Sequence, residues 1–193
     1  WFRSASDIGN AKVWLCGDLV EIGTHSIFAT PSCNFAIEIG QDLWAPTPPS
    51  TTLSLMGADI ILNPSADCAL VDKTNCLRNT IASQSSRCIN GYVYAGAGFG
   101  ESSTDLVFGG KAIICENGNI LNENVQFATD SQLIFSEIDI DILRSYRRTN
   151  KAFCTSSKTI LNTPFTTIGT DMMVRQNLQF SRTFSTHPFY SSN

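Results

Sequence analysis

The sequence predicts a mixed α/β or α+β domain, and three observations support that fold class. Two apolar segments, "NFAIEI" at 34–39 and "ADIILN" at 58–63, are typical of buried strands, and the short helical segment "TTLSLMG" joins them. A longer helical segment at 73–90 leads into a third apolar strand, "GYVYAGAG". The Asn117-Gly118 dipeptide, between two apolar runs, is a strong signal for a tight hairpin turn. Strands joined by helices pair in parallel, so this order predicts a layered sheet.

The first of these strands ends abruptly at Gly40, where a polar dipeptide, a tryptophan and three prolines follow ("GQDLWAPTPPS"). The proline-rich part predicts neither helix nor ladder pairing, because proline lacks the backbone donor that both require. Ser50 is then predicted to cap the short helix, which should end at Gly57. Chains that end a buried strand this way often place chemistry at its tip, so Gly40 is the first candidate position.

The rest of the chain predicts hairpins and a further helix. "LVFGG" is predicted to turn at Gly109-Gly110 into the strand "KAIIC", and "QLIFSEIDI" at 132–140 alternates as a long strand does. "DIDILRSYRR" has acidic residues first and basic residues last, which suits the dipole of a short helix. Two sheets packed back to back, with helices outside, would accommodate this order.

Composition and charge exclude several classes of protein. Hydrophobic residues make up 42% and charged residues 16% of the 193 residues, which allows a core and argues against a disordered chain. The net charge of -4 and the scattered basic residues argue against nucleic-acid binding. No apolar run is long enough to span a membrane, and no signal peptide is visible. Seven cysteines without a CxxC pair favour reduced thiols in the cytoplasm over disulfides or zinc.

The chain is predicted to divide into one domain and an arm. Residues 1–149 carry the strands and helices, whereas residues 150–193 are rich in Ser, Thr, Asn and Phe without a clear period. We expect this second part to be an arm or connector. The first residue is Trp1 rather than Met, so we expect the chain to be processed or to be an excerpt from a longer protein.

Four segments in order resemble one known family: "EIGQDLWAPTPPST", "GADIILNPSA", "ASQSSRCINGYVYAGAGFGESSTDLVFGG" and "ICENGNIL". They are similar to the carbon–nitrogen hydrolase (nitrilase) superfamily and, more narrowly, to the glutaminase domain of glutamine-dependent NAD⁺ synthetases. The likeness runs from about Phe35 to about Arg148, and more loosely to "HPFY", which resembles the connector to a synthetase domain. It implies a four-layer αββα sandwich, here lacking its N-terminal part, that assembles as a homo-oligomer.

The resemblance also implies an amidase with a Glu–Lys–Cys triad, in which the thiolate attacks the side-chain amide of glutamine and ammonia leaves. At the position of that cysteine this chain has Gly40, and Gln41 stands where the family commonly has Glu. The family's catalytic Glu and Lys lie upstream of the segment that Trp1-Phe2 matches. No member of the triad is therefore assigned to this chain, and we expect it to be inactive as given.

Four residues remain as candidates for contact with a substrate. Gln41 could bind an amide, and Lys73 falls at a basic position that contacts substrate in relatives. Asp67 stands where the family usually has serine, and Glu101 lies in the well-matched "ESSTD" segment. Each has a plainer alternative: Gln41 could be solvated, Asp67 or Lys73 could cap a helix or lie on the surface, and Glu101 could be an ordinary loop residue.

Other residues have plainer explanations too. Gly40 could be a glycine chosen for a tight turn rather than a lost nucleophile. Cys33 and Cys68 could supply another thiol, but both suit small buried positions. The "GAGFG" glycines lack a following GK[ST], so nucleotide binding there is rejected. His25 and His187 stand far apart, and no metal site is expected.

Three functions therefore stay open. The chain could be a fragment or degenerate copy of an ammonia-supplying glutaminase domain, a non-catalytic scaffold of the same fold, or a different amide or nitrile hydrolase. The resemblance implies glutamine or a related amide as the ligand in relatives and no cofactor in this chain. ATP and Mg²⁺ would belong to an absent synthetase domain if the parent is full length. A sandwich without its first third exposes apolar sheet, so we expect self-association or covering segments.

Overall fold

A seven-stranded mixed sheet carries the fold within residues 11–170 and 181–182, the part of the chain that the computed structural model describes. The strands are β1 (Ala11–Leu15), β2 (Asp18–Ile22), β3 (Ser26–Ala29), β4 (Asn34–Ile37), β5 (Ile60–Ser65), β6 (Gly91–Gly96), β7 (Ala112–Glu116), β8 (Asn119–Glu123) and β9 (Thr166–Gly169). The helices are α1 (Pro49–Leu55), α2 (Lys73–Cys88), α3 (Ile140–Thr149) and α4 (Lys151–Ser157). Short 3₁₀ turns span Gly40–Trp44, Phe99–Glu101 and Lys158–Ile160.

The large sheet has the strand order β8-β7-β6-β5-β4-β3-β9. Its centre is parallel, because β4 pairs with β5 and β5 with β6 in that sense, and α1 and α2 make the crossovers. This confirms the predicted alternation of strands and helices. On either side the chain turns back, so that β7 and β8 follow β6 antiparallel and β3 pairs antiparallel with β4. Residues 150–170 contribute α4 and the edge strand β9, which pairs with β3.

One face of the sheet forms the hydrophobic core. Strand residues on that face pack against apolar residues of α1 and α2, which lie across it. The side chains concerned are Ala36, Leu53, Ile61, Leu77, Ile81, Tyr92, Ile113 and Cys115, each at most 5% exposed. Burial of each large apolar side chain contributes about 1.5–3 kcal/mol, so this layer supplies most of the stability of the described part.

The opposite face is much more open. Ile37 on β4 is 43% exposed, and Leu62 and Val93, which point the same way, are only half-buried. The β1–β2 hairpin forms a separate sheet whose residues are exposed throughout, including Trp14 at 71%. The predicted class is confirmed as a mixed α/β fold with helices on a large sheet. A second sheet packed on the open face is not found among the described residues.

Two predicted strands are wrong. Residues 132–140 lack ladder pairing up to the start of α3, because neighbouring side chains hold their backbone: the Asn122 amide donates to the Phe135 carbonyl, and Glu116 accepts from the Asp139 amide. "LVF" at 106–108 is also a loop. There the carbonyl of Val107 accepts from Ala69, and the amide of Phe108 donates to the Ser102 hydroxyl.

The predicted turns and caps have mixed outcomes. Asn117 and Gly118 have φ of 45° and 87°, which confirms a turn of type I′ between β7 and β8. The acid-first helix is confirmed as α3, and the Asp139 side chain accepts from the Ile142 amide at its start. Ser50, however, does not cap α1. The helix begins at Pro49, so Ser50 lies inside the first turn.

Asp59 joins α3 to the edge of the sheet opposite the carboxyl ends of the parallel strands. Its carboxylate is 3% exposed and accepts two hydrogen bonds from Arg144, at 3.1 Å and 2.6 Å. The second arginine, Arg147, lies 3.8 Å away and donates to the carbonyls of Ala58 and Ile89. The hydrogen bond to Asp59 raises the pKa of Arg144, which keeps the guanidinium charged.

We expect Asp59→Ala to lower the free energy of unfolding by about 3 kcal/mol, because it leaves Arg147 buried without its carboxylate. Chemical denaturation followed by circular dichroism measures this. The exposed pair of Lys12 and Glu21, 3.1 Å apart, is the control, and Lys12→Met should change stability by no more than about 0.5 kcal/mol. Equal losses in the two variants would contradict the structural role of Asp59.

The open sheet face and the β1–β2 hairpin should promote self-association, because exposed apolar sheet surface is rarely left in water. Sedimentation at micromolar concentration should therefore show species larger than the 21.1 kDa monomer. A compact monomer that also fails to bind a dye for exposed apolar surface would contradict this expectation.

Candidate functional site

The tip of β4 is where the candidate site begins. Gly40 opens the 3₁₀ turn with a φ of +58°, a left-handed backbone that glycine adopts without strain. A Cβ added at this position would meet no atom within 4 Å. The turn therefore gives a physical reason for glycine here, and it also leaves open space at the end of a parallel strand, where α/β proteins commonly bind ligands.

Beside this turn lies a cluster of Trp44, Asp67 and Lys73. The indole Nε1 of Trp44 donates to Asp67 Oδ2 at 2.7 Å, and Lys73 Nζ lies 3.4 Å from Asp67 Oδ1. The same ammonium stands 5.5 Å from the centre of the Trp44 ring, within the range of a cation–π contact. The Asp67 side chain is 4% exposed, so the positive charge of Lys73 is balanced inside the protein.

A small cavity adjoins the cluster at the carboxyl ends of β5 and β6. Its volume is about 20 Å³, room for about one water molecule. The residues that line it include Asp67, Cys68, Lys73, Tyr94, Lys111 and Gln126. Burial raises the pKa of Tyr94, so its phenol is neutral at physiological pH.

The structure brings together only some of the predicted site residues. Asp67 and Lys73 form an ion pair near the Gly40 turn, whereas Gln41 and Glu101 are exposed. Within the described ranges, no hydrogen bond or ion pair joins Gln41 or Glu101 to that pair. The proposal that Gln41 and Glu101 contact a substrate thus stays a prediction. Trp44 packs against the core and also donates a hydrogen bond to Asp67.

The seven cysteines are all free thiols. Cys68 lines the small cavity, while the Cys33 sulfur accepts a 3.7 Å hydrogen bond from Thr30 in the turn before β4. Burial raises the pKa of the Cys88 and Cys115 thiols, which makes both poor nucleophiles.

Neither a metal-binding cluster nor a membrane-spanning helix is found among the described residues. No group of three or more His, Cys, Asp or Glu residues that could hold a metal is found in residues 11–170 and 181–182, which include His25. The second histidine, His187, lies outside the described residues, as do Trp1-Phe2 and the "HPFY" segment. In the same ranges, the helices are too short or too polar to cross a bilayer.

Sequence reasoning missed the buried residue that supports the strand tip, Glu38. Its side chain is 1% exposed and accepts hydrogen bonds from the Tyr92 hydroxyl at 2.6 Å and from the Ser50 amide at 2.6 Å. Burial, with the nearby Glu38 charge, raises the pKa of Tyr92 far above its usual value. One signal was available: Glu38 lies two residues after Ala36, on the face of the strand that forms the core.

Comparisons with known proteins agree with this fold. No family model matches the chain. A glutamine-dependent NAD(+) synthetase of Mycobacterium tuberculosis is 37% identical over 131 residues, which are 66% of this chain and 19% of that protein. The chain thus spans about a fifth of that relative. A carbon-nitrogen hydrolase of Helicobacter pylori superposes with a TM-score of 0.56 at 16% identity, covering 73% of this chain and 53% of that one.

A third comparison, with Saccharomyces cerevisiae Nit3, a member of the nitrilase superfamily, gives a TM-score of 0.52 at 18% identity over 62% of this chain and 44% of that one. The chain therefore shares its fold with members of the carbon–nitrogen hydrolase (nitrilase) superfamily, as the sequence resemblance implied. By sequence it is similar to the glutamine-dependent NAD⁺ synthetases, and its matched residues fit a fragment of their glutaminase domain.

We expect Gly40→Cys to fold and to present a reactive thiol. The added side chain enters open space, and the left-handed backbone costs about 1–2 kcal/mol. Mass spectrometry after iodoacetamide treatment should show the new thiol labelled much faster than Cys115. Gly98→Cys is the matched control, because its Cβ also meets nothing within 4 Å but its φ of -85° is ordinary. Equal stability of the two variants would contradict the strain at residue 40.

The acid side of the stability profile should depend on Glu123, which pairs with Lys111 at 2.7 Å. The bond from Lys111 lowers the pKa of Glu123 below 4.5, burial opposes the shift, and Arg78 adds to it. Because the folded pKa is the lower one, this stabilisation is present above pH 4.5 and is lost as the pH falls through the folded pKa. Denaturation of Glu123→Gln should show a deficit at pH 7 that shrinks in acid. A deficit independent of pH would contradict this assignment.

Proposed function

We propose that this chain carries part of a glutaminase domain in which the strand tip has lost the attacking thiol, so that the chain alone does not hydrolyse glutamine. One observation carries the proposal. Gly40 occupies the end of β4, within the segment that resembles the family, with a left-handed backbone and empty space around the position of a Cβ. A glycine cannot form the thioester that amide hydrolysis by a cysteine requires.

The charges beside the tip support the same proposal. An amide substrate with a carboxylate would need a free cation near the strand ends, and Lys73 is already engaged by Asp67. The second lysine of the cavity, Lys111, is bound by Glu123 and by the Asn124 carbonyl at 2.8 Å. Both ammonium groups are therefore neutralised within the protein, which weakens any attraction for an anionic ligand.

The proposal assigns no cofactor to this chain. ATP and Mg²⁺ would act in the synthetase domain of a full-length parent, and glutamine or a related amide would be the ligand of the intact site. Free thiols in all seven cysteines support a reducing compartment, so we place the chain in the cytoplasm. Assembly with further copies is part of the proposal, supported by the open sheet face.

Ammonia release from L-glutamine tests the proposal directly. The pure chain should release no more ammonia than a buffer blank in an assay coupled to glutamate dehydrogenase. Release that scales with protein concentration would overturn it. If ammonia is released, Cys68→Ser tests whether the thiol of Cys68, which lines the cavity, is responsible. Loss of activity in that variant would show that Cys68 performs the attack.

A second candidate function is a non-catalytic scaffold of the same fold, and the open face of the sheet favours it. Ile37, at 43% exposure, lies on a face whose other apolar residues are only half-buried, as in surfaces that bind another polypeptide. Under this alternative Gly40→Cys would change no association measured by sedimentation, whereas Ile37→Lys would weaken it. An unchanged association in Ile37→Lys would count against the scaffold.

A further inference from the structure

We propose that Glu38 is the positioning residue of the candidate site: its buried carboxylate holds the end of β4 against α1 and so determines where residue 40 lies. The inference rests on the proposed function, because it takes the tip of β4 as the place where a nucleophile would stand. Glu38 touches no substrate position itself. It would act through the backbone two residues further along the chain.

The contacts of Glu38 join four elements. Its own amide donates to the Leu62 carbonyl at 2.9 Å, which extends the ladder between β4 and β5. One carboxylate oxygen, Oε2, accepts from the Ser50 amide in the first turn of α1. The other, Oε1, accepts from the Tyr92 hydroxyl on β6, and the Asn63 amide lies 3.5 Å from it. A single buried side chain thus connects the parallel centre of the sheet with the start of α1.

These contacts constrain the turn that contains Gly40 from one side. The turn is bounded on its other side by Leu43, which is 2% exposed in the core, and by Trp44, which is bonded to Asp67. Only a few residues separate Glu38 from Leu43, so the chain has little freedom between two buried anchors. The left-handed conformation of Gly40 is the bend that lets the chain satisfy both.

Position 38 requires a carboxylate because every group that bonds to this side chain is a hydrogen-bond donor. The Ser50 amide, the Tyr92 hydroxyl and the Asn63 amide all direct hydrogens at Glu38. Glutamine has the same size but one acceptor oxygen, so one of these buried donors would lose its partner or face another donor. The α1 start would then separate from the strand end, while the apolar core of the sheet would stay intact.

Amide hydrogen exchange by NMR tests the inference in the full chain without any need for activity. The reporters are two backbone bonds of the turn, from Asp42 to the Ile39 carbonyl at 3.3 Å and from Ala45 to the Asp42 carbonyl at 3.1 Å. In Glu38→Gln the exchange of these amides should accelerate at least tenfold. Core amides of β7, such as that of Ile113, should change less than threefold.

A matched control comes from another buried carboxylate. Glu116 is 8% exposed and accepts a hydrogen bond from the Asp139 amide at 2.6 Å. It pairs with Gly91, the first residue of β6, so it lies at the end of the sheet away from the Gly40 turn. Glu116→Gln should leave the exchange of Asp42 and Ala45 within twofold. If it accelerates them as Glu38→Gln does, the effect is general destabilisation and the inference is overturned.

A second variant keeps the test decisive if Glu38→Gln does not fold. Tyr92→Phe removes one donor and leaves the carboxylate bonded to Ser50, so it should accelerate Asp42 and Ala45 about threefold. Uniform acceleration across the chain, or no acceleration at the turn in either variant, would overturn the inference. The ammonia assay is independent of these measurements, so failure of the positioning role and failure of the proposed function remain distinguishable.

Discussion

The described structure depends on the buried carboxylate of Glu38, which stays buried because hydrogen-bond donors surround it. An isolated charge in a protein interior is very unfavourable, so Glu38 can remain 1% exposed only because the Ser50 amide and the Tyr92 hydroxyl satisfy it. That requirement links the end of β4 with α1 and β6. The first turn of α1 also brings the positive end of its dipole to the carboxylate, which adds to the stabilisation.

A second buried carboxylate performs the same task at the other end of the sheet. Asp59 binds Arg144 there, and Arg147 fastens α3 to carbonyls at the ends of α2 and β5. Both ends of the parallel strands are therefore held by charge-assisted hydrogen bonds, and the apolar layer lies between them. Such bonds are directional, so they specify where the helices begin and end as well as holding them to the sheet.

The strand tip combines a defined backbone geometry with a residue that has no side chain. The turn at Gly40 is well supported, yet it presents no nucleophile, and the neighbouring cation is neutralised by Asp67. A domain can lose the attacking atom without losing its fold, because the residues that hold the turn differ from the residue that would react. Glu38, Leu43 and Trp44 do the first task, and residue 40 would do the second.

Much of the fold was predictable from local sequence: the apolar runs of β4, β5 and β6, the Asn117-Gly118 turn and the charge order of α3 each express short-range preferences. The glycine at the strand tip was also readable, since it is one position in a segment that resembles the family, and its interpretation as a lost nucleophile stays a prediction. Tertiary structure alone decided the rest. Tyr92 reaches Glu38 across 54 residues, and residues 132–140 alternate like a strand but find side chains in place of a ladder partner. Contacts between distant residues follow from how the strands are arranged in space, which no local pattern encodes.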